Sequence, residues 1–400
     1  MQTSLSEKQT TAVNPAFAGK SPIKRLLSLD VVRGITIAFM IMVNNNGGPG
    51  SWHFMNHAAW NGLTPTDLVF PTFVFVVGVS VVFATEARLA KGAARSQLAK
   101  HTVIRTIVLI IFGIIVNSFP YFHLDHMRFY GVLQRIAVCY LVVGLFYLWD
   151  QRASTKWMAL AGCLIGYWIL VRWIPIPGIG TPGRDVPFMD VERNLVSFID
   201  QHLFPHHLYL YSPDHNVRDP EGLLSDLPAV GTALMGMLAG IWLKSKRSVG
   251  VKTAGLAIAC VTSLVIGYLW SMEFPLNKNM WTSSFVLVAG GYSLALLTFA
   301  HFTIEQMNWR KGWTYPWIVF GSNAIAAYMF SELVPGIFGE LLQFRGADGR
   351  MTNPLTWTAM HTVMRIPNPH WAAFAYSVSF CAFCFIPVWI LYKKKIFLKV

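Results

Sequence analysis

Ten long apolar runs divide this chain, and each is close to the length that an α-helix needs to cross a lipid bilayer. Only 13% of the residues are charged, against about 25% in soluble domains. The sequence therefore predicts an all-α, polytopic transmembrane helix bundle of about ten helices. The ninth run contains Pro335 and Gly336, so we expect a break or a re-entrant turn there. The ten runs are residues 27–45, 65–86, 101–119, 130–149, 156–174, 225–243, 252–270, 281–303, 315–342 and 371–392.

The basic residues alternate between the segments that connect these runs. One set of alternating segments, which includes both terminal tails, carries 21 lysines and arginines, whereas the opposite set carries eight. The positive-inside rule therefore predicts that both termini are cytosolic. The net charge of +13 follows from this topology and does not indicate a nucleic-acid partner.

The predicted topology divides the chain into a membrane domain with two tails. We expect residues 1–26 to form a disordered cytosolic tail, because they are polar and lack the apolar core of a signal peptide. Residues 27–392 form the membrane domain, and residues 393–400 form a basic cytosolic tail. Two sizeable outer loops, residues 175–224 and 343–370, are expected on the other side of the membrane.

The first run carries polar groups at both ends. Asp30 and Arg33 lie near its cytosolic end, where an ion pair three residues apart offsets the cost of charge in a membrane. Two interpretations stay open: a polar stripe that lines an internal path, or a helix-cap acid with an inward-facing arginine. The stripe is about 21 Å long and holds Asp30, Arg33, Ile37, Ile41 and Asn44.

A polar segment precedes the second run. Thr64, Pro65 and Asp67 have the pattern of a helix start, with a Thr cap, Pro at the first position and an acid at the third. Helix capping alone explains why Asp67 occurs here, but no such structural role explains His57. Histidine is the usual general base near neutral pH, although a lone loop histidine is more often inert. His53 and His57 have a spacing that suits zinc, but no third ligand follows, so we expect no metal.

Further polar residues lie inside the later runs or at their ends. An intramembrane arginine such as Arg135 should face a cavity or an acidic partner. Trp281 alone would be an interface anchor, but the lysine and two asparagines beside it favour a polar site. These residues are Gln134 and Arg135 in the fourth run, Asn277, Lys278, Asn279 and Trp281 at the start of the eighth, and Asn323 in the ninth.

Several of these segments together resemble one known family. The block HAAWNGLTPTDLVFP begins at His57, and six other blocks keep a fixed order around it. They are RLLSLDVVRG, MIMVNNNGG, GVLQRIAVCYL, DPEGLLSDLPAV, NKNMWTSSFVLV and GSNAIAAYM. Over residues 25–392 this pattern resembles heparan-α-glucosaminide N-acetyltransferase and its bacterial membrane relatives.

The resemblance implies a transmembrane acyltransferase domain over residues 27–392. It would move an acetyl group from cytosolic acetyl-coenzyme A to an amino sugar or a sugar hydroxyl on the periplasmic side. His57 matches the catalytic histidine of the family and would act as general base or, alternatively, as an acetylated nucleophile. Asn44 or Asn45 would stabilise the oxyanion, and Asp67 would orient His57 if its capping role leaves an oxygen free.

The remaining polar residues are assigned to the two substrates. Coenzyme A carries phosphates that favour guanidinium partners. The residues expected along the donor path are Asp30, Arg33, Gln134 and Arg135. The residues expected at a glucosamine-type acceptor are Trp60, Asn61, Asn277, Lys278, Asn279, Trp281 and Asn323.

The resemblance also implies a homodimer. The lysosomal enzyme has a long amino-terminal extension that this sequence does not show, so we expect a bacterial inner membrane and a smaller sugar acceptor. Two other classes stay open, an amino-sugar transporter and an envelope-complex protein without catalysis. The transporter predicts uptake without coenzyme A, and the envelope-complex protein predicts tolerance of change at His57.

Overall fold

The computed structural model describes residues 26–212, 215–310, 312–346 and 349–398. Within these ranges, ten helices are long and apolar enough to cross a membrane, which confirms the predicted all-α polytopic bundle. The expected amino-terminal tail lies outside the described residues apart from Leu26, and the expected basic tail is described as far as Leu398.

The α-helices in the described part of the chain are α1 (Leu27–Asn44), α2 (Val69–Leu89), α3 (Arg95–Ser118), α4 (Val132–Trp149), α5 (Ala153–Trp173), α6 (Leu195–Leu203), α7 (Asp226–Lys244), α8 (Val249–Trp270), α9 (Ser283–Ala300), α10 (Tyr315–Ser322), α11 (Ala324–Pro335), α12 (Pro354–His361) and α13 (Pro369–Lys393). Short 3-10 or π turns extend three spans, at Pro65–Leu68, His301–Gln306 and Gly336–Leu341. Two antiparallel two-stranded ribbons pair β1 (Leu210–Ser212) with β2 (His215–Arg218) and β3 (Phe344–Arg345) with β4 (Met351–Thr352). Both ribbons, α6 and α12 lie in the two long loops.

The two ends of the bundle differ in charge and in loop length. Because consecutive spans run in opposite directions, α1 begins at the end where α13 finishes. We call this the basic end, since it carries Arg88, Lys244 and Lys393. The opposite end, which we call the loop end, carries the long segments 174–225 and 342–368.

The spans differ in how much of their surface the chain itself covers. Two helices in the middle of the bundle are largely covered by the rest of the chain. Of their spanning residues, 67% are buried in α2 and 78% in α7. In α3 and α8 only 22% are buried, so the chain itself leaves most residues of these two helices uncovered. A helix that is apolar all round fits either place, because lipid and protein interior are both apolar.

The central helices approach each other at two glycines. A Cβ added to Gly78 would lie 1.9 Å from the carbonyl oxygen of Ala233. A Cβ added to Gly236 would lie 1.9 Å from the carbonyl oxygen of Phe75. Glycine at both positions therefore allows backbone-to-backbone contact between α2 and α7, as small residues do in membrane bundles.

The ninth span differs from the expectation in the place of its break. The α-helix is interrupted at Asn323, whose φ of −131° and ψ of 42° separate α10 from α11. Pro335 and Gly336 mark only a change from α-helix to a π turn. The Asn323 side chain donates to the carbonyl oxygen of Ile396 at 3.1 Å and accepts from the N–H of Leu398 at 3.0 Å. The break therefore anchors the carboxyl-terminal segment at the basic end.

We expect Gly236→Ala to lower the free energy of unfolding by about 1–3 kcal/mol, because the α2 backbone must move to admit the methyl group. Thermal unfolding in detergent measures the change. Gly162→Ala on α5 is the matched control, since no atom lies within 4 Å of a Cβ added there. Equal melting temperatures for the two variants would contradict the close contact.

Candidate active site

His57 lies at the loop end, in the segment between α1 and α2. Its Nδ1 atom is 2.7 Å from Oδ1 of Asp67. The His57 side chain is 50% exposed, whereas that of Asp67 is 1% exposed. An ionised carboxylate can only accept, so this contact places the ring proton on Nδ1. The Nε2 atom is then left with a lone pair that can accept a proton from outside the chain.

The Asp67 carboxylate also fixes the start of the second span. Its Oδ2 atom accepts from the N–H groups of Ala58 at 3.1 Å and Thr64 at 3.0 Å. The Thr64 hydroxyl donates to the same oxygen at 3.0 Å, and Pro65 occupies the first helical position. The predicted cap is therefore confirmed. Because Oδ2 makes the capping bonds, Oδ1 remains for His57, which meets the condition set by the sequence.

Lys278 lies against the imidazole of His57. Its Nζ atom is 3.3 Å from Nδ1 and 3.2 Å from Nε2. Burial lowers the pKa of Lys278, while the negative charges of Glu221 and Asp67 act in the opposite direction. The sequence places Lys278 at the acceptor, and the structure places it in contact with the histidine itself.

The turn before α9 holds Lys278 in position through the neighbouring Asn277. The Asn277 backbone N–H donates to the Thr282 hydroxyl at 3.1 Å. The side-chain oxygen of Asn277 accepts from the N–H of Met280 at 2.8 Å, and its amide donates to Asn61 at 3.0 Å. Asn277 is completely buried, so it organises the turn and links it to the loop of His57.

The predicted acceptor residues fall into two groups. Trp281 is completely buried and donates from Nε1 to the Thr232 hydroxyl at 3.1 Å, so it is a core residue and not a surface that meets an acceptor. Asn277 is likewise internal, and Asn323 lies toward the opposite end of the bundle. The residues that stay exposed or partly exposed in the loops beside His57 and Lys278 are Trp60, Asn61 and Asn279.

Arg135 has an acidic partner, as predicted, but it does not face an internal cavity. Its Nε donates to Asp226 at 2.8 Å. The other nitrogens donate to the carbonyl oxygens of Pro220 at 3.1 Å and Gly222 at 3.0 Å, and to the Ser225 hydroxyl. The guanidinium thus ties α4 to the loop that leads into α7, and its assignment to the donor path stays a prediction.

Gln134 also lies away from the predicted donor path. A Cβ added to Gly113 of α3 would lie 2.2 Å from its Oε1 atom, so the amide packs between α3 and α4. Neither polar atom of this amide has a hydrogen-bond partner among the described residues. The structure therefore places Gln134 at a helix contact.

A second buried arginine holds the same loop. Arg128 donates to both oxygens of Asp219, at 2.8 and 2.6 Å, and also to Glu221. These carboxylates raise the pKa of Arg128 against the effect of burial. Close by, Asp200 accepts from the N–H of Leu223 at 3.0 Å through Oδ1, while its buried Oδ2 has no partner in the described part of the chain.

We expect Asp200→Asn to flatten the pH dependence of stability. Burial raises the pKa of Asp200 from 3.8 to about 7, and the charge of Asp219 adds to this. Between those two values the folded protein binds more protons than the unfolded chain, so the stability is present at low pH and lost as the pH rises through about 7. The variant should therefore melt at a higher temperature than the wild type at about pH 8 and match it only at about pH 3, below both pKa values.

The matched control for this prediction is Glu192→Gln, an exposed acid on the same loop. It should leave the difference in melting temperature between the two pH values as it is in the wild type. An Asp200→Asn protein with the pH dependence of the wild type would contradict a buried, protonated Asp200.

A cavity of about 640 Å³ lies inside the bundle, between α1, α2, α3, α4 and the broken ninth span. Leu26 and Phe397 line it at the basic end, and Val132, at the start of α4, lines it toward the loop end. Along α2 the lining runs from Arg88 to Phe73, a rise of about 22 Å. The cavity therefore covers most of the depth of the bundle.

The part of the predicted polar stripe nearest the basic end of α1 lines this cavity. Asp30, Arg33 and Ile37 line the wall. Arg33 donates to Asp30 at 3.3 Å and to the Ser80 hydroxyl at 2.7 Å. It also donates to the carbonyl oxygen of Gly321 at 3.2 Å. The interpretation in which the stripe lines an internal space is thus the one that the structure supports for this part of α1.

The cavity is also lined by three basic residues that sequence reasoning missed, namely Arg88, His101 and Arg105. Arg88 and His101 are in contact at 3.2 Å, and Arg105 lies over the Tyr140 ring at 4.8 Å. The buried Nε of Arg105 has no hydrogen-bond partner among the residues that the structure describes. Arg105 is one of the 21 basic residues that the sequence assigns to the connecting segments, but its place ten residues into α3 (Arg95–Ser118) is a signal of an inward-facing arginine.

The two asparagines predicted to stabilise an oxyanion have other partners. Asn44 donates to Glu332 of α11 at 2.9 Å, and Asn45 donates to the carbonyl oxygen of Ile41 at 3.2 Å. Glu332 is another residue that sequence reasoning missed, although an acid inside an apolar run is itself a functional signal. In the structure, Asp67 and Lys278 thus contact His57, whereas the side-chain amides of Asn44 and Asn45 are hydrogen-bonded to other groups.

Among the described residues, one group of side chains has the spacing to hold a metal ion. It consists of His123, Asp125 and His126, all exposed on the loop between α3 and α4. His53 and His57, whose sequence spacing suits zinc, do not form part of such a group, and His57 contacts Asp67 and Lys278 instead.

Fold and site together define a polytopic membrane protein with a carboxylate-bound histidine at one end and an internal cavity that reaches the other. The family model for the catalytic region of heparan-alpha-glucosaminide N-acetyltransferase matches residues 25–272 of the sequence. The chain therefore belongs to this family of membrane N-acetyltransferases.

Two curated relatives extend the match over almost the whole chain. The mouse heparan-alpha-glucosaminide N-acetyltransferase is 27% identical over 95% of this chain and 61% of its own length. The human protein of the same name is 28% identical over 94% of this chain and 60% of its own length. The chain thus spans about 60% of the length of these relatives.

Proposed function

We propose that this protein moves an acetyl group from cytosolic acetyl-coenzyme A to an amino sugar or a sugar hydroxyl on the periplasmic side of a bacterial inner membrane. The observation that carries the proposal is the 2.7 Å contact between His57 Nδ1 and Asp67 Oδ1. It fixes the tautomer in which Nε2 can act as a base, as general-base catalysis of acetyl transfer requires. Family membership supplies the reaction class.

The sidedness of the proposal comes from the charge of the two ends. The basic residues concentrate at the end where α1 begins and α13 finishes, so this end and both termini are cytosolic. The loop end, with His57, is then periplasmic. The homodimer expected from the resemblance stays a prediction.

The cavity is the proposed site for the donor. Its basic end presents Arg33, Arg88 and Arg105, which suit the phosphates of coenzyme A because guanidinium groups bind phosphate bidentately. The unpartnered Nε of Arg105 supports this use. The apolar walls of the cavity between its basic end and the loop end would hold the pantetheine arm. The thioester would then lie toward the loop end while the nucleotide stays at the cytosolic surface.

The residues of the loop end then perform the transfer. The acceptor amine or hydroxyl attacks the thioester carbonyl while Nε2 of His57 takes its proton. Asp67 stabilises the imidazolium that forms, because its carboxylate is buried and already bonded to Nδ1. The proton returns to the leaving thiolate. Trp60, Asn61 and Asn279, which are exposed or partly exposed, form the surface on which the acceptor would be oriented.

We expect His57→Ala to lower the rate of acetyl transfer by about 10²–10⁴, the usual effect of losing a general base. The protein should stay folded, because the side chain is half exposed. Transfer of labelled acetyl from acetyl-coenzyme A to glucosamine in detergent measures the rate, and His53→Ala, an exposed histidine of the same loop, is the control. A folded His57→Ala protein with the wild-type rate would refute the assignment.

We expect Arg105→Met to weaken coenzyme A binding about tenfold or more, because a hydrogen bond to a charged group contributes about 1.5–3 kcal/mol. Calorimetric titration with coenzyme A measures the affinity. Arg152→Met is the control, since Arg152 is an exposed arginine at the same end that pairs with Asp150 at 3.1 Å. Equal affinities for Arg105→Met and wild type would place the donor outside this cavity.

A further inference from the structure

The position of the Lys278 ammonium relative to the His57 ring can be deduced from two distances. Nζ is 3.3 Å from Nδ1 and 3.2 Å from Nε2, so it is almost equidistant from atoms on either side of the ring carbon Cε1. A point in the ring plane at those distances would overlap Cε1. The ammonium therefore lies over the face of the imidazole and not along the in-plane lone pair of Nε2.

This placement leaves the base accessible while it changes the electrostatics of the ring. The lone pair of Nε2 lies in the ring plane, so Lys278 does not occupy it. A positive charge over the ring opposes the formation of a second positive charge on the imidazole. The imidazole thus lies between a carboxylate at Nδ1 and an ammonium over its face.

The groups around Lys278 hold its ammonium at the ring. Asp67 and Glu221 attract it, while burial and the positive charges of Arg128 and Arg135 act against its charge. Glu221 is itself fixed by Arg128, and the backbone of Lys278 belongs to the turn that Asn277 organises. The charged groups that face His57 or Lys278 are Asp67, Glu221, Arg128 and Arg135.

The transfer reaction needs a positive group or a donor where the carbonyl oxygen becomes negative. The amides expected to supply it are bonded elsewhere, Asn44 to Glu332 and Asn45 to the Ile41 carbonyl oxygen. Lys278, by contrast, carries ammonium donors within 3.2 Å of the base that activates the acceptor. Any acyl group attacked beside Nε2 lies next to these donors.

We propose that the Lys278 ammonium stabilises the oxyanion of acetyl transfer and is a catalytic residue. The inference rests on the proposed function. The acceptor nitrogen forms a bond to the carbonyl carbon, its proton moves to Nε2 of His57, and the carbonyl π pair moves to the oxygen beside Nζ. When that pair returns, the carbon–sulfur bond breaks and the thiolate of coenzyme A takes the proton from His57.

The kinetic test compares Lys278→Met, which keeps the length of the side chain, with Lys278→Arg, which keeps its charge. We expect Lys278→Met to lower kcat by about 10²–10³, the effect of removing one oxyanion donor, with unchanged affinity for coenzyme A. Lys278→Arg should retain more activity than Lys278→Met. Lys246→Met, an exposed lysine at the other end of the bundle, should have the wild-type rate.

A second readout does not depend on turnover. Calorimetric titration with coenzyme A should give the wild-type affinity for Lys278→Met, so that the loss in kcat reflects the transfer step and not the donor site.

The outcomes separate the inference from the function on which it rests. A wild-type protein that transfers acetyl groups, with a Lys278→Met variant of equal kcat, would overturn the role of Lys278 alone. A folded wild type that transfers nothing to amines or hydroxyls would overturn the proposed function, and the oxyanion role with it.

Discussion

The buried carboxylate of Asp67 is the group on which the loop end of this protein depends. A carboxylate that is 1% exposed must be surrounded by donors, since an unpaired buried charge costs several kcal/mol. Three donors reach Oδ2, from Ala58 and Thr64, and His57 reaches Oδ1. The loop before α2 therefore has to fold back over the start of that helix. One side chain thus sets both the beginning of a membrane span and the orientation of the imidazole.

The two ends of the bundle are organised by different electrostatics. At the loop end, charges are buried in pairs, with Arg128 on Asp219 and Arg135 on Asp226, so the long loop before α7 is fixed to α4. Along the cavity, by contrast, Arg105 keeps a buried nitrogen without a partner in the described part of the chain. Paired arginines suit a structural role, and an unsatisfied one suits a ligand.

Features that depend on residues close together in the chain could be predicted from the sequence. Span number follows from length and hydropathy, and the double use of Asp67 follows from a capping pattern within ten residues of His57. Contacts between residues that are far apart in the chain could not be predicted from the sequence. Trp281 could not be told from an interface residue, because its burial depends on packing against α7. The Arg135–Asp226 pair joins residues 91 positions apart, which no local pattern encodes.

The central claim is that donor and acceptor meet from opposite sides of the membrane, and vesicles with one protein orientation test it most directly. Labelled acetyl-coenzyme A is supplied only at the basic end, and a membrane-impermeant glucosamine derivative only at the loop end. The account predicts an acetylated sugar on the loop side and free coenzyme A on the basic side, with no product when the two substrates are exchanged. Product that forms only when donor and acceptor are on the same side would contradict it.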